Sequence, residues 1–417
     1  MTRASEVQVR DSVDHLFRHH AGQMVSVLCR IFGFDRIDTI EDAVQDALIA
    51  ALRKWSFTGI PVNPTAWLMQ AARNRMIDVL RRDKRSEPVD ENFDLPDRAK
   101  PETAYFPGEM SEDQLRMIFA CCHPSLAPDS QVALTLKTVG GFSVTEIASA
   151  YLSNEEAVAK MLTRAKARLH ESGVSLDIPV AGEVTDRLDV VLKVLYLIFN
   201  EGYGASAGNE LLRRDLCFEA IRLVEILSRH PLTALPKVHA AAALFLFQAA
   251  RFPARTDHTG ELVLLPDQDR ELWDRDLAAR GLRHLRHSAS GAKISTFHLE
   301  AEIAGIYTLA ESYQATNWKR ILDCYDTLRE ISFSRIAELN RAVVVGQIDG
   351  AEAGLAALES CEDGNDLGFY NLFHITRAHL LSNISERTQA KVAYQTALSL
   401  TKNESVRRFI ERRLAEL

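Results

Sequence analysis

The run Asn63-Pro64-Thr65-Ala66-Trp67-Leu68-Met69-Gln70-Ala71-Ala72-Arg73-Asn74-Arg75-Met76-Ile77-Asp78-Val79-Leu80-Arg81-Arg82 has one consistent reading, and it is helical. Asn63 is a natural N-cap, and Pro64 suits the first helical position, where an N–H has no partner to lose. Leu68, Ala72, Met76, Val79 and Leu80 recur at helical spacing and form an apolar stripe. Asn74, Asp78, Arg81, Arg82 and Arg85 fall on a second stripe. Such a helix is buried on one side and cationic on the other. The chain as a whole carries a net charge of −8, so this local cationic face is fitted to a polyanion and is not a by-product of bulk charge.

The same helical periodicity runs through almost the whole chain, and the fold class expected is all-α. Length (417 residues) suggests about three domains, and a hydrophobic content of 47% supplies their cores. Residues 10–85 form the first helical unit. Residues 86–110 hold four prolines and an acidic excess, and read as a linker. An acidic tether beside a cationic face either keeps the chain soluble or occupies that face until DNA displaces it.

Residues 111–173 read as a second unit built around a helix-turn-helix. Ser143-Val144-Thr145-Glu146 and Ser153-Asn154-Glu155-Glu156 are two capping boxes. The first opens a short helix, Val144 to Tyr151, and the second a longer one, Asn154 to Leu169. In the longer helix Ala157, Val158, Met161, Leu162, Ala165 and Leu169 make the buried stripe. Lys160, Thr163, Arg164 and Arg168 line the exposed side. In a major groove, N-terminal residues such as Asn154 and Glu155 would meet base edges and the later cations would meet phosphates.

From 178 to 417 the pattern is stacked amphipathic helices. Ala378 on one helix and Ala390, Tyr394 and Ala397 on the next have the small-residue spacing of a tetratricopeptide-like hairpin. Ala342, Gly354 and Leu358 repeat the small-small-large order, and the charged segment Glu404 to Leu417 reads as a terminal capping helix. The stretch Thr256 to Arg270 interrupts the helices. His258, Asp267 and Asp269 would make an acid/base cluster there; alternatively Asp267 caps the helix through Leu272 and Trp273, and His258 sits in a turn.

No apolar run spans a bilayer, and the polar start Met1 to Arg10 lacks a signal core, so a cytoplasmic protein without membrane contact is expected. The six cysteines are scattered without a C-x-x-C pair, which suits reduced thiols. Adjacent Cys121 and Cys122 diverge on a helix and read as core rather than as metal ligands. No nucleophile elbow, phosphate loop or metal-ligand helix occurs, so no catalytic residue, metal or cofactor is assigned and the chain is not read as an enzyme.

Residues 1–173 resemble a bacterial extracytoplasmic-function sigma factor. The segment Asp38 to Trp55 looks like region 2.2, and Asn63 to Arg82 looks like regions 2.3 and 2.4, with Ala-Trp-Leu, Ala-Arg-Asn and Ile-Asp-x-Leu-Arg-Arg in order. The 111–173 unit is similar to region 4, and the tail resembles the subgroup with a fused tetratricopeptide-like extension. The resemblance implies that Asp42, Gln45 and Asp46 contact the β′ clamp helices of core RNA polymerase. It assigns Arg73, Asn74, Asp78, Arg81 and Arg82 to the minus-10 recognition helix. The loop Trp55 to Val62 would capture a flipped base, with Trp55 or Phe57 contributing and Trp67 in the core. Region 4 would read the minus-35 element beside the β flap, and the tail would contact the sigma domains and modulate them. In region 4 the family's Lys-Ser-Arg run is replaced by Ala159, Lys160 and Met161, so fewer phosphate contacts are expected.

Two other readings remain open on the residues alone. One is a duplex-DNA-binding regulator with a helical-repeat sensor, using residues 144–169. The other places an enzyme in the tail, with Asp267 and Asp269 as its acids.

Overall fold

A computed structural model describes residues 20–86, 107–150, 154–174, 176–179, 181–205, 207–360 and 370–417. Most of the acidic linker lies outside them. The described residues are overwhelmingly helical, as the periodicity requires, and fall into two compact units, 1–194 and 195–417. No helix among the described residues is long and apolar enough to cross a membrane.

The first unit begins with α1 (20–32), α2 (Ile37–Thr58) and α3 (Pro64–Ser86), with α2 packed along α3. Asn63 caps α3 as expected, its side chain accepting the Ala66 amide at 3.1 Å. The buried stripe of α3 runs through Leu68, Met69, Ala72, Met76 and Ile77, whereas Val79 and Leu80 stay half-exposed. α4 (Pro107–Cys121) follows, then α5 (Pro128–Leu134), which widens into a π turn at Thr135–Val139. Cys121 and Cys122 are buried at the end of α4 and beyond it, and burial pushes the Cys122 thiol up to about 12.

α6 (Val144–Ala150) opens on a complete capping box: the Ser143 amide donates to Glu146, and the Glu146 amide donates to the Ser143 hydroxyl. α7 (Glu155–Glu171) corrects the expected register by one residue. Its cap is Asn154, whose side chain accepts the Ala157 amide at 2.7 Å; Ser153 lies outside the described residues. Val158, Leu162, Ala165 and Leu169 are buried as read, but Ala157 is exposed.

α8 (Ala181–Tyr203) runs through the boundary between the units. The second unit continues with α9 (Arg214–Arg229), α10 (Pro236–Ala250), α11 (Arg275–Ser288), α12 (Thr296–Leu309), α13 (Trp318–Ile331), α14 (Arg335–Asp349), α15 (Ala351–Glu359), α16 (Asn371–Asn383), α17 (Arg387–Leu400) and α18 (Glu404–Glu416). Consecutive helices pack as neighbours, notably α10 with α11, α14 with α15 and α16 with α17. Ala378, Ala390, Tyr394 and Ala397 are all buried. Gly354 lies so close to α14 that a methyl group there would meet Gly346 Cα at 2.8 Å.

The last helix does more than cap the stack. A short parallel pair joins β1 (Ala207–Gly208) to β2 (Lys402–Asn403), and Asn403 donates to the Ala205 and Glu210 carbonyls at 3.1 and 2.8 Å. Ser405 donates to the Gly260 carbonyl at 2.6 Å, and Arg412 pairs with Glu261 at 2.6 Å. The interruption at 256–270 is thus the seat of α18. Asp267 is not the cap expected: Asp269 caps the short turn Arg270–Leu272, Asp274 caps α11, and Asp267 faces Arg413 at 3.8 Å. His258 is exposed in a turn.

Gly202 shows how tightly this unit is closed. Its carbonyl accepts the Arg213 amide at 2.8 Å, and a Cβ there would lie 2.7 Å from Cys217 Sγ and 2.8 Å from the Arg213 carbonyl. Gly202→Ala should therefore push α8 from α9 and cost about 1–3 kcal/mol. A thermal melt should show the loss, and an unchanged midpoint would refute it.

Candidate nucleic-acid and polymerase interface

The amphipathic split of α2 decides which of its side chains face outward. Ala43, Val44, Ala47 and Leu48 are buried, while Asp42, Gln45 and Asp46 are exposed on the opposite side. Asp46 pairs with Arg75 of α3 at 2.7 Å, a surface bridge of modest strength. The outward face continues through Ile49 and Leu52, which are 40% and 37% exposed. Asp46, Ile49, Ala50, Arg53, Lys54 and Trp67 line an open recess of about 610 Å³.

α2 stops at Gly59, which has φ 78° and donates its amide to the Trp55 carbonyl at 2.9 Å. A left-handed residue is needed to turn the chain there, and glycine takes it without a steric penalty. The last turn of α2 and the loop after it project apolar side chains: Phe57 on the helix is 80% exposed, and Val62 in the loop is fully exposed.

The two tryptophans exchange the positions expected of them. Trp55 is buried, so it offers no face to a base, and its assignment as a stacking group is corrected to core. Trp67 is half-buried and lines the recess, its ring 5.4 Å edge-on from Trp55 and under the Lys54 ammonium at 5.6 Å. Trp55 is flanked by Lys54 and Ser56 and Trp67 by Ala66 and Leu68, so immediate neighbours would suggest the reverse, and the packing of α2 against α3 decides which ring is buried.

On α3 the polar stripe is graded. Arg73, Asn74 and Asp78 are half-buried, Asn74 accepting from the Gln70 amide group at 2.9 Å, and Arg81 and Arg82 are exposed. Arg85 belongs to the final turn, with its side chain outside the described residues.

On α7, Glu155, Lys160, Thr163, Arg164 and Arg168 are exposed. Asn154 has its side-chain oxygen engaged in the cap. Lys160 pairs with Glu156 at 2.6 Å, Arg168 lies 3.8 Å from Glu171, and Thr163 donates to the Ala159 carbonyl at 2.9 Å. The two ion pairs are exposed and of modest strength. Lys166 was missed in the sequence, where it resembles any other cation of the helix. Its side chain is only 11% exposed and pairs with Glu41 and Asp38 of α2 at 2.9 and 2.6 Å. Burial would lower its ammonium, but the two carboxylates outweigh that and hold it above its ordinary value.

Comparison with known proteins agrees with this arrangement. Residues 16–86 match the family described as Sigma-70 region 2, and residues 116–169 match Sigma-70, region 4. Residues 187–289 match a family of unknown function (DUF6596). An uncharacterized protein of Rhizobium meliloti (strain 1021) is 37% identical over 388 residues, covering 92% of this chain and 91% of its own. No solved structure matches. With regions 2 and 4 both in place, and with a relative alike over nearly its whole length, the chain belongs to the sigma-70 family of transcription initiation factors.

Proposed function

We propose that this is an extracytoplasmic-function type sigma factor that works in the cytoplasm. Its α2 face, Asp42, Gln45 and Asp46, docks on the β′ clamp helices of core polymerase. α3 tracks the minus-10 element through Arg73, Asn74, Asp78, Arg81 and Arg82. α7 meets the minus-35 element beside the β flap, through Asn154, Glu155, Lys160, Thr163, Arg164 and Arg168. The observation that carries the reading is the packed pair α2 and α3, which presents an acidic face, an exposed aromatic side chain in the last turn of α2 and a cationic helix end on one support. Polymerase supplies the chemistry, and this chain supplies promoter choice and strand opening.

Permanganate footprinting with core polymerase tests it. Unstacked thymines should appear only when both proteins are present. Thymines that stay protected would favour a duplex-binding regulator instead. Within this reading Phe57 is the stacking group for an extruded base, since base–aromatic stacking is worth about 1–3 kcal/mol. Phe57→Ala should reduce thymine reactivity about tenfold or more while core binding is unchanged; equal reactivity would remove Phe57 from the role.

The second unit, which we read as tetratricopeptide-like, modulates the sigma unit in this proposal. The support is the continuous helix α8, whose residues belong to both units.

A further inference from the structure

The second unit gathers three arginines without an acid to balance them. Arg251 follows the last residue of α10 and is 8% exposed. Its guanidinium donates to the Tyr203 hydroxyl and to the Gln248 side chain, both of them neutral. Arg255 follows the short turn Phe252–Ala254, donates to the Tyr203 carbonyl and lies with its guanidinium carbon 3.5 Å from the centre of that ring. Arg270 donates to the Tyr307 and Ala310 carbonyls at 2.9 and 2.8 Å and lies over the Trp273 ring at 4.4 Å. Burial lowers the guanidiniums of Arg255 and Arg270 from their ordinary value, and repulsion from Arg251 adds to each. Among the described residues no carboxylate pairs with any of the three.

Helix capping explains part of this cluster. Arg255 holds the last carbonyl of α8, and Arg270 holds carbonyls at the end of α12. Arg251 holds no backbone carbonyl, and a buried charge served only by neutral side chains is costly. The charges do not cancel either. Each helix C-terminus carries roughly −0.5 of a unit charge, so the ends of α8, α10 and α12 supply about −1.5 against three cations. About +1.5 remains, and a phosphate monoester carries about −1.5 to −2 at pH 7. Two donors remain as well: among the described residues Arg270 Nη2 and Trp273 Nε1 are buried without a hydrogen-bond partner.

We infer that Arg251, Arg255 and Arg270, together with Trp273 Nε1, bind the phosphate group of a small molecule. Tyr203, Gln248, Arg255 and Arg270 are half-buried, so solvent reaches the cluster past them. Arg251 lies deeper, where a terminal phosphate can reach and a diester flanked by two sugars cannot. Planar guanidinium forks meet phosphate oxygens in pairs, which a lysine ammonium does not. The bound group joins the ends of α8, α10 and α12 to the turn Arg270–Leu272, so it stabilises the second unit in proportion to its occupancy. The inference goes beyond the sigma-factor reading and does not depend on it.

The test is a phosphorus NMR titration of inorganic phosphate and of glucose 6-phosphate with the full chain, at ionic strength held constant with sodium chloride. Binding should saturate, and saturation should raise the thermal midpoint by several degrees. Tighter binding of the ester identifies the carrier as a phosphate ester, and equal or weaker binding identifies it as free phosphate; both support the site. Arg251→Gln and Arg270→Gln should each weaken binding about tenfold or more, while Arg387→Gln, on the exposed start of α17, should leave it unchanged. Where Arg251→Gln does not fold, Arg251→Lys keeps the charge and loses the fork, and it should weaken binding severalfold. No saturable binding of either probe by the wild-type chain overturns the site, and so does wild-type affinity in the Arg251 and Arg270 variants. A dinucleotide without a terminal phosphate should not compete; competition at equal affinity would overturn the choice of a terminal phosphate.

Discussion

Replacing Arg81 and Arg82 together by alanine should reduce promoter-dependent initiation on the order of 100-fold and leave binding to core polymerase unchanged. Both side chains are exposed near the end of α3, beyond Ile77 at the end of its buried stripe, so their removal leaves the α2–α3 packing intact. Charge-assisted contacts to phosphate are worth about 1.5–3 kcal/mol each, and two such contacts account for a loss of this size. The salt dependence of promoter binding gives an independent check. Two lost phosphate contacts should flatten the log–log slope by about 1.4–1.8, the range from single strands to duplex. A double variant that loses polymerase binding and initiation equally would instead show that the two arginines support the fold or the polymerase contact.

A chain cut after residue 177 should be far less stable than one cut after Tyr203, although both remove most of the second unit. α8 starts at Ala181, and its first half belongs to the sigma unit. Val184, Leu188, Val191 and Leu192 are buried there, and Arg187 donates to the Phe119 carbonyl at the end of α4 at 2.7 Å. Burying an aliphatic side chain contributes about 1.5–3 kcal/mol, so losing four of them removes on the order of 6 kcal/mol or more. Most domains have only about 5–15 kcal/mol in total. Circular dichroism melts of the two truncations should separate clearly, and equal midpoints would exclude a structural role for the first half of α8. The chain ending at Tyr203 is then the proper comparison for asking what the second unit does to initiation.

Helix starts were legible wherever capping is local. Asn63 with Pro64, and Ser143 with Glu146, are recognisable because donor and acceptor lie within four residues of each other. The outward position of Asp42, Gln45 and Asp46 followed from helical periodicity for the same reason. Competing caps were harder. Ser153 and Asn154 are both good N-caps, and the choice between them depends on how α7 seats Val158 and Leu162 against the rest of its unit.

The sequence alone determined an all-helical chain, the placement of its polar and apolar faces, and membership of its first part in a sigma-factor pattern, because these depend on neighbours a few residues apart. Tertiary structure alone decided that Trp55 is buried while Trp67 lines a recess, that Lys166 is spent on Glu41 and Asp38, and that Asn403 closes the second unit on Ala205 and Glu210. Each of those depends on groups far apart in the chain: a tryptophan, a lysine and an asparagine carry no local mark of the surface they will meet, and only the packing of whole helices brings that surface to them.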